Sequence, residues 1–287
     1  MKPPPFDYHA PRDLGEALAV LAETGEHGKV LAGGQSLIPL LNMRLAAPGH
    51  LVDINRIDPL DTLTATAEGV TVGALARHSR VERSSEAAAA QPLLRQALRL
   101  VAHPVIRNRG TVVGSLVHAD PAAEMPAVLA LLGGSVRLAR ADGPAREVAA
   151  ADFFTGPLES ALRPGELAVS AFFPALPPRS GTAFREFARR HGDYALAGIA
   201  ALVTLDEAGA VGAVKVACIG VGATPIVLDL TGVEPDAVAH AVRGRIEPEA
   251  DIHASADYRR HLAGVLAARA VDEANGEARR AFDHAGR

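Results

Sequence analysis

Apolar residues recur along this chain with two periods, and the change from one to the other divides it. Leu14, Ala17, Leu18 and Leu21 fall on one helical face, behind Asp13 as a cap and ahead of Gly25 as a stop. A short buried strand at Val30-Leu-Ala, a break at Gly33-Gly34, a helix and a second strand at Leu51–Ile54 complete the order of a small α/β unit. From residue 60 the period becomes two. Leu63-Thr-Ala-Thr-Ala and Val70-Thr-Val-Gly alternate around Glu68-Gly69 and predict a hairpin. Pro92 to Ala102 predicts a helix that buries Leu93, Leu94, Ala97, Leu98 and Val101 and is ended by Pro104. Asp120-Pro121 predicts the next start, an acidic cap with proline in the first turn, running through Met125, Val128, Leu129 and Leu132 to Gly133-Gly134.

Ser135–Ala139 and Arg146–Ala149 read as another hairpin, and Leu167–Phe173 as a further strand. Three prolines and a glycine in Pro174-Ala-Leu-Pro-Pro-Arg-Ser-Gly181 mark a linker. Beyond it, Ala183–Arg189, Ala195–Leu205 and Val211–Val221 predict an antiparallel meander, and Val238–Val242 and Ser255–Ala274 two helices.

Composition narrows the function. A chain of 287 residues has room for two domains, and 48% hydrophobic with 22% charged residues is a globular profile. A net charge of −4 argues against a nucleic-acid face. No apolar run approaches the roughly 18 residues of a membrane span. The start, Met-Lys-Pro-Pro-Pro-Phe, lacks the apolar core of a secretory signal, so a cytoplasmic location is expected. Cys218 is the only cysteine and lies in an apolar strand, which excludes a four-cysteine iron–sulfur cluster and marks a core residue.

Two glycine-bearing segments carry the candidate chemistry. They are Lys29-Val-Leu-Ala-Gly-Gly-Gln-Ser-Leu37 and the run from Ile106 through Arg109-Gly-Thr-Val-Val-Gly-Ser115 to Glu124. Glycines let backbone N–H groups approach an anion, and two such loops can hold a diphosphate from both sides. The first loop also reads as a tight strand-to-helix turn, since neither a Rossmann nor a Walker fingerprint is present. His118, Asp120 and Glu124 can be drawn as a metal site, but no zinc spacing supports it and Asp120 is accounted for as a cap. Arg107 and Arg109 read either as a solvated pair or as donors to loop carbonyls. Arg185 and Arg189 fall on one strand face, facing an anion or a partner.

Together the two segments, Gly192-Asp-Tyr-Ala-Leu-Ala-Gly198 and Ala256-Asp-Tyr-Arg-Arg resemble the FAD-binding medium subunit of the molybdenum hydroxylases. The likeness is to the carbon monoxide dehydrogenase medium-chain type and, more distantly, to the flavin segment of xanthine dehydrogenase. It implies an α+β fold: a two-subdomain FAD-binding domain of the vanillyl-alcohol-oxidase-like (PCMH) type over 1–176 (subdomains about 1–57 and 58–176), then a sheet-plus-helices domain over 177–287. It implies FAD contacts from Lys29, Val30, Leu31, Ala32, Gly33, Gly34, Gln35, Ser36 and Leu37. Val101 and Ala102 would line the cofactor, and Thr111, Gly114, Ser115, His118 and Asp120 would contact it. Glu124 stands at a family carboxylate, Arg185 at a family basic position, and Tyr194 at the aromatic that approaches the flavin ring.

The resemblance further implies an electron-transfer flavoprotein with no catalytic or metal-binding residue of its own. It would work beside an iron–sulfur small subunit and a molybdopterin large subunit, as a dimer of heterotrimers. Two alternatives stand beside it: a scaffolding subunit that has lost FAD, and a stand-alone flavin oxidoreductase. The first is motivated by Val113, where the family keeps a glycine. A positive φ there would strain a β-branched residue by about 1–3 kcal/mol and weaken FAD.

Overall fold

The computed structural model describes residues 2–285. An α+β architecture emerges in three successive units. In the first 57 residues, β1 (Asp7–His9), α1 (Leu14–Thr24), β2 (Gly28–Leu31), α2 (Leu37–Asn42) and β3 (His50–Asp53) build a parallel sheet of order β1-β3-β2. The Asp13 carboxylate accepts from the Glu16 N–H at 2.8 Å, and Gly25 leaves α1 at φ 52°. Ala17, Leu18 and Leu21 of α1 pack with Val52, Ile54 and Ile57.

The next unit comprises β4 (Leu63–Ala65), β5 (Gly69–Gly73), α3 (His78–Arg83), α4 (Ser85–Ala90), α5 (Pro92–Leu98), α6 (Pro104–Arg107), α7 (Val112–His118) and α8 (Glu124–Leu132). After these come β6 (Ser135–Arg140), β7 (Arg146–Ala149), α9 (Ala150–Phe153), β8 (Phe154–Gly156), β9 (Glu159–Ser160) and β10 (Glu166–Pro174). Five of the strands form a sheet of order β4-β5-β10-β6-β7, antiparallel at every pairing.

Three expectations need correction here. The helix after Pro92 ends at Leu98, not Ala102, and Pro104 opens α6 at its first position, where a missing N–H costs nothing. Asp120 does not cap a helix: its carboxylate accepts from the Ala122 N–H at 2.8 Å in a turn, and α8 begins at Glu124. The middle of the second glycine-bearing segment is the helix α7. Val113 lies inside it, 2% exposed in the apolar core and absent from the residues with positive φ, so the strain expected there does not arise.

The last unit is the meander β11 (Ser180–Ala188), β12 (Ala195–Leu205), β13 (Val211–Ile219) and β14 (Ile226–Asp229), followed by α10 (Val238–Arg243) and α11 (Ala256–Ala285). Strand alternation gives its sheet two apolar faces. Ala197, Ile199, Ala201 and Cys218 pack on Ala263, Ala267 and Ala270 of α11. Phe184, Ala200, Ala217 and Ile219 join the core of the preceding unit, with Leu94, Val128 and Leu129. Hydrogen bonds cross the same seam, from Gly220 N–H to the Pro121 carbonyl at 2.9 Å and from Gln96 Nε2 to the Thr182 carbonyl at 3.0 Å.

Candidate functional site

The first loop runs from the end of β2 into α2. Gly34 takes a left-handed φ of 72°, which glycine adopts without cost. Ile38 N–H closes the first turn on the Gly34 carbonyl at 3.0 Å. Among the described residues, the preceding five backbone N–H groups, of Gly33, Gly34, Gln35, Ser36 and Leu37, donate to no protein acceptor. Such a run of free donors is matched to the oxygens of a phosphate. It is the chemistry that a dinucleotide's diphosphate requires, so the residues present fit FAD.

The second segment is pressed directly against the first. A Cβ on Gly33 would lie 2.6 Å from the Arg109 carbonyl oxygen and 2.7 Å from the Gly110 Cα. Gly33 is therefore small because the loops touch there. Arg77 braces the junction: Nη1 donates to the Arg109 carbonyl and Nη2 to Asn55 Oδ1, both at 2.6 Å. Asn55 Nδ2 in turn donates to the Ala32 carbonyl at 2.8 Å. Beyond the junction, Thr111 caps α7, its hydroxyl accepting from the Gly114 N–H at 3.1 Å.

Beneath Gly110 lies His78, fully enclosed, with both ring nitrogens buried and without hydrogen-bond partners. Burial, reinforced by the Arg107 charge, pushes its imidazole down to about 4. Arg107 is itself buried. It donates from Nη1 to the carbonyls of Val101 and Ala102 at 2.9 and 3.3 Å, and from Nε to Glu82 at 2.8 Å. It is a donor to loop carbonyls, whereas Arg109 stays exposed. Val101 points into the core, and Ala102 turns the chain at φ 43°.

Polar groups gather where α7, α8 and the C-terminal sheet meet. His118 Nε2 lies 4.0 Å from Asp120, and its imidazole is lowered by burial against the pull of Asp120, with Lys29 adding to the lowering. Burial raises the Glu124 carboxyl to about 8, helped by Glu186 and Asp120 and opposed by Arg107. Tyr194 stands 71% exposed in the β11–β12 turn, its phenol raised by partial burial and by Asp120 and Glu124. That turn is fastened to the first domain by Gly192, at φ 82°, where a Cβ would sit 2.6 Å from the His103 ring. The His103 and His191 rings meet edge-on at 6.0 Å.

The structure thus brings together Lys29–Leu37, Thr111–Ser115, His118, Asp120, Glu124 and Tyr194. It does not bring Arg185 to them. Arg185 points to the far face of the sheet, bonded to Glu273 of α11 at 2.7 Å. Arg189, beyond the strand end, lies 3.7 Å from Asp193. The residue of that strand that faces the site is Glu186, one position on, as strand alternation requires. The sequence reading missed it, although the period-two signal was available. Arg77, Asn55 and His78 carried no local signal, because their partners are distant in the chain. Among the described residues, no group of three or more His, Cys, Asp or Glu side chains is placed to hold a metal ion.

Comparison with known proteins matches this architecture. Residues 4–176 match the family model for the FAD binding domain in molybdopterin dehydrogenase, and residues 182–274 that for the CO dehydrogenase flavoprotein C-terminal domain. The chain is 40% identical, over 97% of both proteins, to the 6-hydroxypseudooxynicotine dehydrogenase complex subunit alpha of Paenarthrobacter nicotinovorans. It is 36% identical to the carbon monoxide dehydrogenase medium chain of Afipia carboxidovorans, covering 97% of this chain and 100% of that one. Among solved structures, carbon monoxide dehydrogenase from Hydrogenophaga pseudoflava superimposes with a TM-score of 0.90 at 35% identity, covering 96% of this chain and 99% of the other. Quinoline 2-oxidoreductase from Pseudomonas putida 86 superimposes with a TM-score of 0.89 at 36% identity, covering 97% of this chain and 100% of the other.

Proposed function

The chain belongs to the FAD-binding medium subunits of the molybdenum hydroxylase family of dehydrogenases, and from that premise we propose that it is the electron relay of its complex. It is a subunit of an oxidoreductase, with FAD as its cofactor. In the proposed route a molybdopterin-bearing large subunit oxidises the substrate, and an iron–sulfur small subunit passes the electrons to this chain. Bound FAD supplies the exchange between single-electron carriers and a two-electron acceptor.

The chain's own residues have a binding task. The free N–H groups from Gly33 to Leu37 would hold the diphosphate, with Thr111, Gly114 and Ser115 closing from the other side and Tyr194 covering the ring. Lys29, His118 and Asp120 would border the same cofactor. The five unpaired donors of the first loop, which meets the second segment at Gly33, carry this assignment. The single cysteine, which is buried, cannot hold a four-cysteine cluster, so in this route any such cluster would be carried by another subunit.

The test is flavin reduction with and without partners. The holo-complex should bleach its flavin when given substrate, and the isolated chain with bound FAD should not. Direct reduction of the isolated chain by a small substrate would favour the stand-alone oxidoreductase. Among the described residues no helix is long and apolar enough to cross a membrane.

A further inference from the structure

The segment Ala256-Asp-Tyr-Arg-Arg opens α11, far along the chain from both glycine-bearing segments. Its two arginines part company. Arg260 stays near the surface, bonded to Asp257 at 2.8 Å, whereas Arg259 is 7% exposed. The buried guanidinium has three acceptors. Nη1 donates to the Leu196 carbonyl at 2.7 Å and to the Gly220 carbonyl at 3.0 Å, and Nη2 to Asp251 Oδ2 at 2.7 Å. Asp251 is in turn held by the N–H groups of His253 and Ala254, at 2.8 and 2.9 Å.

The two carbonyls lie on separate paths to the cofactor side. Leu196 stands at the start of β12, just after Tyr194. Gly220 follows β13, and its N–H donates to the Pro121 carbonyl at 2.9 Å, in the turn that carries Asp120. The paths also touch each other. Gly220 has a φ of 71°, and a Cβ on it would lie 2.9 Å from the carbonyl oxygens of Ala195 and Leu196. Tyr194 is largely exposed and has little packing of its own, so the backbone on either side sets its position. Gly192 packs on His103 before it, and Arg259 takes the Leu196 carbonyl after it.

We propose that Arg259 is a positioning residue for the flavin: from the head of α11 it fixes the strand leaving Tyr194 against the turn that is bonded to Pro121, and so holds Tyr194 and Asp120 in one arrangement around the cofactor. The proposal rests on the placement of FAD and Tyr194 argued above. The planar guanidinium suits the task, because it directs several donors in fixed directions where an ammonium is a point charge. A buried carbonyl that loses its donor is costly, so the two segments would not keep their places without it.

The experiment reads the fluorescence of flavin bound to the full chain loaded with FAD, in wild type, Arg259→Met, Tyr194→Leu and the double variant. A phenol held against a flavin ring quenches its emission. Arg259→Met keeps the length of the side chain and removes its donors. It should raise the emission of bound flavin several-fold, as Tyr194→Leu should, and the double variant should raise it no further, because both changes remove the same contact. A role confined to folding would lower the melting temperature of Arg259→Met and leave its bound flavin at wild-type emission. That result overturns the proposal, as does a double variant in which the two effects add. Asp251→Asn, at a side chain 46% exposed, loosens the guanidinium without opening the core and carries the same comparison if Arg259→Met does not fold. A rise in emission that is lost in the Tyr194→Leu background supports the proposal, and wild-type emission overturns it. Unchanged emission in Tyr194→Leu alone would instead sink the placement of Tyr194 on the flavin, and the proposal with it.

Discussion

Gly33 and Gly110 meet so closely that a Cβ on the first would lie 2.7 Å from the Cα of the second. This contact joins two segments most of a hundred residues apart in the chain, and it sets the width of the cradle between them. It also changes the meaning of Gly33. The residue is small to admit another part of the backbone, while its own N–H is left without a protein acceptor.

Gly33→Ala should therefore act on the protein before it acts on the cofactor. The added methyl meets backbone, which cannot rotate away, and overpacking of this kind costs about 1–3 kcal/mol. The apo-protein should melt at lower temperature and flavin content should fall with it. A variant that loses FAD while its apo melting temperature is unchanged would return Gly33 to a purely ligand-facing role.

Arg77→Ala should separate the loops without adding bulk. It removes the donors to the Arg109 carbonyl and to Asn55, and leaves Asn55 bonded only within the first subdomain, to Ala32 and Asp53. Loss of charge-assisted bonds at a half-buried site costs about 1–3 kcal/mol. Equilibrium denaturation should show that loss, with a raised FAD dissociation constant. Arg77→Lys should rescue little, since one ammonium cannot span both acceptors in the guanidinium's fixed geometry.

Val113→Gly should destabilise the chain instead of tightening FAD. It deletes a buried isopropyl group from the core and puts glycine inside α7. Cavity and helix terms together come to about 2–4 kcal/mol. Urea unfolding would measure it, and an increase in stability would restore the reading of Val113 as a strained replacement.

His78 predicts an acid limit. Its folded value, about 4, lies below the ordinary 6.5, so the folded state binds the proton more weakly than the unfolded one. Its contribution is fully present above about 6.5 and is lost as pH falls towards about 4. His78→Gln, which cannot be protonated there, should lose less stability than wild type over that interval. Melting curves of the two proteins that run parallel through it would remove His78 from the account, and flavin release should follow the same pH course.

Much of the fold was legible because it is set locally. Asp13 and Gly25 bound α1 through their own side chain and φ. The alternation in Ala195–Leu205 dictated a two-faced strand wherever that strand was placed. The α7 segment was misread for a physical reason. Thr111 can cap a helix or lead a loop with the same side chain, and Gly114 suits both. Only the burial of Val112, Val113 and Leu116 against the core decides for the helix.

The chain by itself determined its elements, its family resemblance and the two segments able to face a diphosphate, because each is written in neighbouring residues. Tertiary structure decided that these segments touch at Gly33, that Arg77 and Asn55 tie them, and which face of β11 packs on α11 and which on the FAD-binding domain. Those relations depend on strand register and on docking between residues far apart in sequence. No periodicity can encode them.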